Sequence, residues 1–376
     1  MAEITRHSAL EERHRALGST LDGEWNGMPL PQTYATDPDD EVVAVRTKAG
    51  LFDVTALRMI DVRGSDSVRA LNHMLTSNVA KLKPGQSAIS NIVDANGSLI
   101  DDVLVYRDAP DIFRLSHGGG DLENVIATFF DGLDASWEKN DDVHILSLQG
   151  PSSLATLNPH TSFDLSRLSY FEHAETLLFD TPVSIGRGGY SAELGFEVFC
   201  RRADAVAMWD AILAAGAPFD VIPVSWACLD IVRVEGALLF FPFDMPEGDT
   251  SPFEVGAEWT IDLDKPDFYG KSALLKRKAE IRCAQVGLEI DATIAIEPGA
   301  RLVKDGETIG TVNSTTYSRY LMKSLALGHV VPQAAAPGTA IQVVSAAGEF
   351  AAHVVRTPFY DPLRLRTHPL HERQMP

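Results

Sequence analysis

The sequence is poor in positive charge and in cysteine, and it has no long apolar run. Its 376 residues carry 32 Lys and Arg against 52 Asp and Glu, a formal charge of −20. The basic residues are scattered, whereas a surface that tracks nucleic-acid phosphates needs them clustered, so a nucleic-acid partner is not expected. No stretch approaches the roughly 18 consecutive apolar residues that a membrane span requires. The N-terminus lacks the apolar centre and small-residue cleavage site of an export signal. Three cysteines at wide spacing, Cys200, Cys228 and Cys283, fit neither a disulfide framework nor a zinc site. The 11 histidines never pair at i and i+4, which leaves no helical metal motif. No GxGxxG stands at a strand–helix junction. The SHGGGD run lacks the Lys-Ser/Thr ending of a phosphate loop, and Ser191 is not bracketed as a nucleophile elbow would be. Together these absences describe a cytoplasmic protein with no membrane or nucleic-acid partner and no bound metal.

What is present is an ordinary globular balance, 45% hydrophobic and 22% charged, in a chain long enough for two or three domains. The first eighteen residues read as an amphipathic helix. A short helix at DDEVVAVRTKAG runs into strands, and SVRALNHMLTSNVAKL has helical spacing. SAISNIV and SLIDDVLVYRD flank a DANG turn and predict a hairpin, followed after APD by a third strand, IFRLSHGG. The glycines of SHGGGD then predict a tight strand-to-helix turn. A second hairpin is expected in VSIGRGGYSAELGFEVFCRR, and amphipathic helices in ADAVAMWDAILAAG and PVSWACLDIVRVEGALLF. Beyond a charged connector helix, turns at EPGA, KDGE, APGT and AAGE recur about every ten residues, the rhythm of a small β-barrel or sandwich. Composition and spacing alone reach no further than a multi-domain α+β protein.

Four segments carry more. AGLFDVTAL, DANGSLIDDVLVY, LQGPSS with GGYSAELGFEVF, and SPFEVGAEWTIDLDKPDFYGKSAL occur in this order. They resemble the elements of the aminomethyltransferase family, the T-protein of the glycine cleavage system and its folate-dependent demethylase relatives. DGETIGTVNS, KSLALGHV and TPFYDP extend the resemblance to about residue 366. It implies a three-domain cloverleaf around a central hole for tetrahydrofolate, with residues 1–265 forming the folate-binding region and 280–366 a β-barrel. It also implies roles for single residues. Asp102, second aspartate of the Ile-Asp-Asp run, stands where the family keeps its essential carboxylate, suited to managing the proton of a one-carbon acceptor nitrogen. Glu197 stands where the pterin is received, able to accept two N–H bonds from its amino edge. Tyr190, Tyr106, Leu104, Leu57, Phe199, Trp259 and Phe171 are expected as pocket wall, and Arg366 near the folate tail.

The departures from the family pattern are as informative. Ile89 stands where a tyrosine is expected, His117 where an asparagine is, and Leu229 where an arginine is. GYSAELG replaces GYTGEDG. These changes disfavour a lipoyl carrier protein as donor and favour a stand-alone demethylase moving a methyl or methylene group from a small-molecule donor, with a true glycine-cleavage T-protein and a non-catalytic folate-binding regulatory protein as the alternatives. His117 is the expected second catalytic group, able to shuttle a proton near neutral pH if it faces the hole.

Overall fold

A computed structural model describes residues 4–246 and 248–368. Three β-rich bodies make up the α+β architecture. The first is a five-stranded antiparallel sheet in the order Gln86–Val93, Leu99–Ala109, Ile112–His117, Arg58–Arg63 and Ser136–Lys139. The second is a six-stranded sheet in the order His173–Leu178, Thr181–Arg187, Gly195–Arg201, Val143–Gln149, Gly50–Asp53 and Ile222–Pro223. The third is a closed six-stranded barrel formed between Ala284–Ile290 and Gly348–Val355. Both expected hairpins are present. At the DANG turn, the Asp94 carboxylate accepts the backbone N–H groups of Asn96 and Ser98 at 2.8 and 2.9 Å, which closes the turn locally.

Each sheet buries one face on its own helices. Val103, Val105, Phe113 and Leu115 of the first sheet pack on Leu71, Met74 and Leu122. Leu146, Phe196 and Val198 of the second pack on Met208, Trp209 and Ile212. The remaining faces meet in a third cluster that includes Phe52, Met59, Tyr106, Ile145 and Phe199. This inter-sheet layer positions the site. The SHGGGD turn is tight for a steric reason: a Cβ on Gly120 would lie 2.2 Å from the Ile100 carbonyl oxygen and 2.5 Å from Asp101 Cγ.

Two buried polar ties hold the bodies together. Arg46 donates to Glu235 Oε2 from Nε and Nη2 at 3.0 and 2.7 Å, and the barrel residue Ser318 donates to Glu235 Oε1 at 2.5 Å. The Lys265 ammonium donates to the carbonyls of Asn72, Leu75 and Ser77 at 2.7, 2.5 and 2.8 Å. A buried charge needs such company, and both have it.

Two expected helices are shorter than their sequence pattern. The N-terminal helix spans only Glu11–Ala16. Upstream of it, Ser8 Oγ donates to Asp53 and the Ala9 amide to His144 Nε2, so tertiary bonds hold that segment out of a helix. SVRALNHMLTSNVAKL is helical over Ser67–Met74, and a separate 3₁₀ turn covers Val79–Lys81. Between them Ser77 donates its amide to Ser90 and Asn91 to Thr76, contacts that an unbroken helix would forfeit. No helix among the described residues is long and apolar enough to cross a membrane.

Candidate active site: a two-carboxyl well between the sheets

Strand alternation builds the site. Successive side chains on Leu99–Ala109 point to opposite faces, so Asp102, Leu104 and Tyr106 share the inner face. From the second sheet, Glu197 and Phe199 on Gly195–Arg201 face them. The Tyr106 and Phe199 rings meet edge-on at 5.3 Å, and the Tyr106 hydroxyl donates to Glu197 Oε2 across the gap at 3.5 Å. Leu57, Leu104 and Tyr190 pack into the same cluster. Two carboxyl groups therefore face the layer between the sheets, within an aromatic and aliphatic wall.

Both carboxyls are out of their ordinary range. Burial, reinforced by the neighbouring charge of Asp101, pushes Asp102 up from 3.8 to about 7. Burial likewise pushes Glu197 up from 4.5 to about 7, against the opposing hydrogen bond from Tyr106. Among the described residues Asp102 finds only its own backbone amide as a hydrogen-bond partner. Glu197 finds only the distant Tyr106 hydroxyl. Both carboxyls still keep some solvent access. Two half-buried carboxyls with so few protein partners leave oxygens free for a polar guest. A reduced pterin fits this pair: its amino edge presents N–H donors to one carboxylate, and its reactive amine needs a proton-managing group like the other.

Beneath the well lies support that the family resemblance did not point to. Arg114 sits 5.0 Å from the centroids of both Tyr106 and Phe199, and its guanidinium forks onto Asp108 at 2.7 and 2.9 Å. His173 Nε2 lies 2.9 Å from the same carboxylate. Tyr170 belongs to the Glu197 end: burial raises its hydroxyl, and the charge of Glu197 raises it further. Phe171 packs on Tyr170 at 4.4 Å between centroids. The Phe171 carbonyl accepts from the Ser87 amide and its amide donates to the Arg187 carbonyl, which clips the two sheets together. Arg114 stands opposite Tyr106 in the hairpin, and its one signal in the sequence is a basic residue set within the mostly apolar run IFRLSH.

One expected site residue, His117, lies elsewhere. His117 pairs with Val103 in the sheet, so it projects with Asp101 from the face opposite Asp102. Its Nδ1 lies 2.9 Å from Asp101 Oδ2 and its Nε2 3.9 Å from Glu123, and the residue is buried. It is a neighbour of the tight glycine turn, not of the well. Trp259 is 65% exposed, because Thr260 is the residue of its 3₁₀ turn that points inward, to Asn91. Arg366 is exposed, and its charge acts on Tyr360, Glu193, Tyr320 and Asp361. Of the departures from the family pattern, Ile89 lies across the sheet from Leu104, and Leu229 is buried against a cavity of about 420 Å³ that Tyr190 also lines.

The model of the GCVT N-terminal domain matches residues 10–265, and that of the glycine cleavage T-protein C-terminal barrel domain matches residues 284–361. The chain belongs to the aminomethyltransferase family. Within that family it is 39% identical over 371 residues to the heme-dependent oxidative N-demethylase gamma subunit of Ectopseudomonas mendocina, covering 96% of this chain and 98% of that one. It is 31% identical over 369 residues to the aminomethyltransferase of Thermotoga petrophila, covering 94% and 98%. The crystal structure of the glycine cleavage system aminomethyltransferase T from Bartonella henselae superposes with a TM-score of 0.88 at 26% identity, covering 95% and 98%. The aminomethyltransferase family makes the protein a tetrahydrofolate-dependent transferase.

Proposed function

We propose that the protein moves a one-carbon unit from a small methylated donor to tetrahydrofolate seated in the inter-sheet well. Tetrahydrofolate, when bound, supplies an amine able to take up one carbon. The rest is the work of the chain. Glu197 grips the amino edge of the pterin through both carboxylate oxygens. Tyr106 and Phe199 form the wall that keeps this edge dry. Asp102, with a proton affinity near neutrality, holds or releases the proton that must move as carbon is transferred, a contribution of about 10² to 10⁴ in rate. The observation that carries the proposal is the pair of sparsely partnered carboxyls, Asp102 and Glu197, turned to the inter-sheet layer from opposite sheets beside the Tyr106 and Phe199 rings.

Ile89, Leu229 and the GYSAELG motif support a donor other than a lipoyl arm, since several positions of the family pattern are changed together. A second reading is favoured by the name of one relative, the gamma subunit of an oxidative N-demethylase. In that reading a partner subunit oxidises the donor, and this chain loads the released carbon onto the folate. One experiment separates them. The purified chain is incubated with tetrahydrofolate and N-, S- or O-methyl donors, and products are identified by mass. 5-Methyltetrahydrofolate from the chain alone supports direct demethylation. No turnover of methyl donors, with 5,10-methylenetetrahydrofolate formed faster than spontaneously once formaldehyde is supplied, supports the subunit reading. Absence of both products, or activity with aminomethyl-lipoyl protein instead, refutes the proposal.

A further inference from the structure

The cavity of about 420 Å³ beside Tyr190 has a chemistry of its own. Four of its lining rings, Trp25, Trp226, Phe240 and Tyr190, come from separate parts of the chain yet converge. Trp25 meets Trp226 edge-on at 5.4 Å and Phe240 at 5.1 Å, and Tyr190 meets Phe240 at 6.4 Å. These rings are pinned. The Trp226 indole N–H donates to the Asp53 carbonyl at 3.0 Å, and the Tyr190 hydroxyl donates to the Leu238 carbonyl at 3.2 Å. Held rings around a space are the recognition device for N-methylated ammonium ions, whose charge is spread over methyl groups too large and too weakly hydrated for a hydrogen-bonding site.

The charges agree. Arg233 is the one basic residue of the lining, among the described residues; its guanidinium lies over Phe240, 5.7 Å from the centroid, and is matched by Asp230 at 2.7 Å and by Asp244 at 2.6 Å, which leaves Trp25, Trp226 and Tyr190 as the rings open to a cation. Glu24 in the same lining adds a further negative charge. Leu229 stands on this wall where the family pattern has an arginine, so a positive charge is missing from the place where it would repel a cation. Tyr190 lines this cavity and also packs into the inter-sheet cluster with Leu104 and Tyr106, so the cavity adjoins that layer.

We infer that this cavity is an aromatic cage for the N-methylated ammonium group of the one-carbon donor, placed next to the carboxyl that serves the folate. The inference rests on the proposed transfer for the word donor, and on the rings and charges alone for the binding. The test is therefore a binding measurement on the protein without folate. Choline and its uncharged carbon isostere, 3,3-dimethyl-1-butanol, are titrated by calorimetry and by tryptophan fluorescence. The cage predicts saturable choline binding, at least about tenfold tighter than the isostere. Equal affinity for the two would mean an apolar hole with no taste for charge, and would overturn the inference, as would no choline binding at all.

Two substitutions sharpen it. Leu229→Arg returns a cation to the wall and is expected to weaken choline about tenfold or more while leaving the isostere within about twofold. Trp226→Phe keeps a ring and is expected to weaken choline less than Trp226→Leu does, with the melting temperature checked for each. An L229R variant that holds choline as tightly as the parent would refute the charge argument. Choline binding without folate binding would sink the transfer proposal and leave the cage standing. Transfer from methylated amines with no cage selectivity would do the reverse.

Discussion

Replacing Asp102 by asparagine should separate chemistry from stability in opposite directions. In the folded protein burial pushes this carboxyl up to about 7, against 3.8 for an unburied aspartate. The native state therefore binds the proton more tightly than the unfolded state, and ionisation works against folding. Stability contributed by the neutral form is complete below about pH 4 and is lost as pH rises through about 7. At 1.36 kcal/mol per pH unit the full cost of the charge is about 4 kcal/mol, and partial solvent access reduces it to about 2 to 3 kcal/mol. Asparagine keeps the shape and removes the charge. At pH 8, D102N should be more stable than the parent by about 2 kcal/mol in urea unfolding, with little difference at pH 4. Glu197 carries a similar liability, so part of the pH-dependent loss should remain in D102N. Turnover should fall about 10² to 10⁴-fold while folate binding stays within about threefold. A D102N protein less stable than the parent at pH 8, or one with undiminished turnover, would refute the reasoning.

Other outcomes follow from the same geometry. Glu197→Gln loses a charged acceptor for two N–H groups, so reduced-folate affinity should drop about 10 to 100-fold in a fluorescence titration, with kcat at saturating folate changed far less. His117→Gln should cost about 1 to 3 kcal/mol in urea unfolding, because Asp101 loses its side-chain partner. Arg46→Met strands Glu235 and the barrel contact through Ser318, a loss of about 3 to 5 kcal/mol in urea unfolding.

How much of this was legible in the sequence varies with the range of the interactions. Asp102, Leu104 and Tyr106 could be assigned to one strand face by counting in twos, and the structure keeps that alternation. His117 could not be placed in the same way. The register Val103 to His117 depends on the irregularity between Arg107 and Ala109, which the residues did not announce. Trp259 was expected as pocket wall from the family resemblance alone. Its place was decided by a 3₁₀ turn in which the small Thr260 was the better fit against Asn91. The barrel was readable from its turn rhythm, since each hairpin is local. The Arg46 and Glu235 tie was not, because its partners lie 189 residues apart and only the folded chain brings them together.

The central claim is that two neutral-poised carboxyls face one pterin from opposite sheets. Its most direct test is a crystal structure with 5-formyltetrahydrofolate bound. The account predicts the pterin amino edge within hydrogen-bond distance of both Glu197 oxygens and the Asp102 carboxyl on the side of the reactive nitrogen. A folate bound outside the inter-sheet well, or one whose amino edge turns away from Glu197, would contradict it.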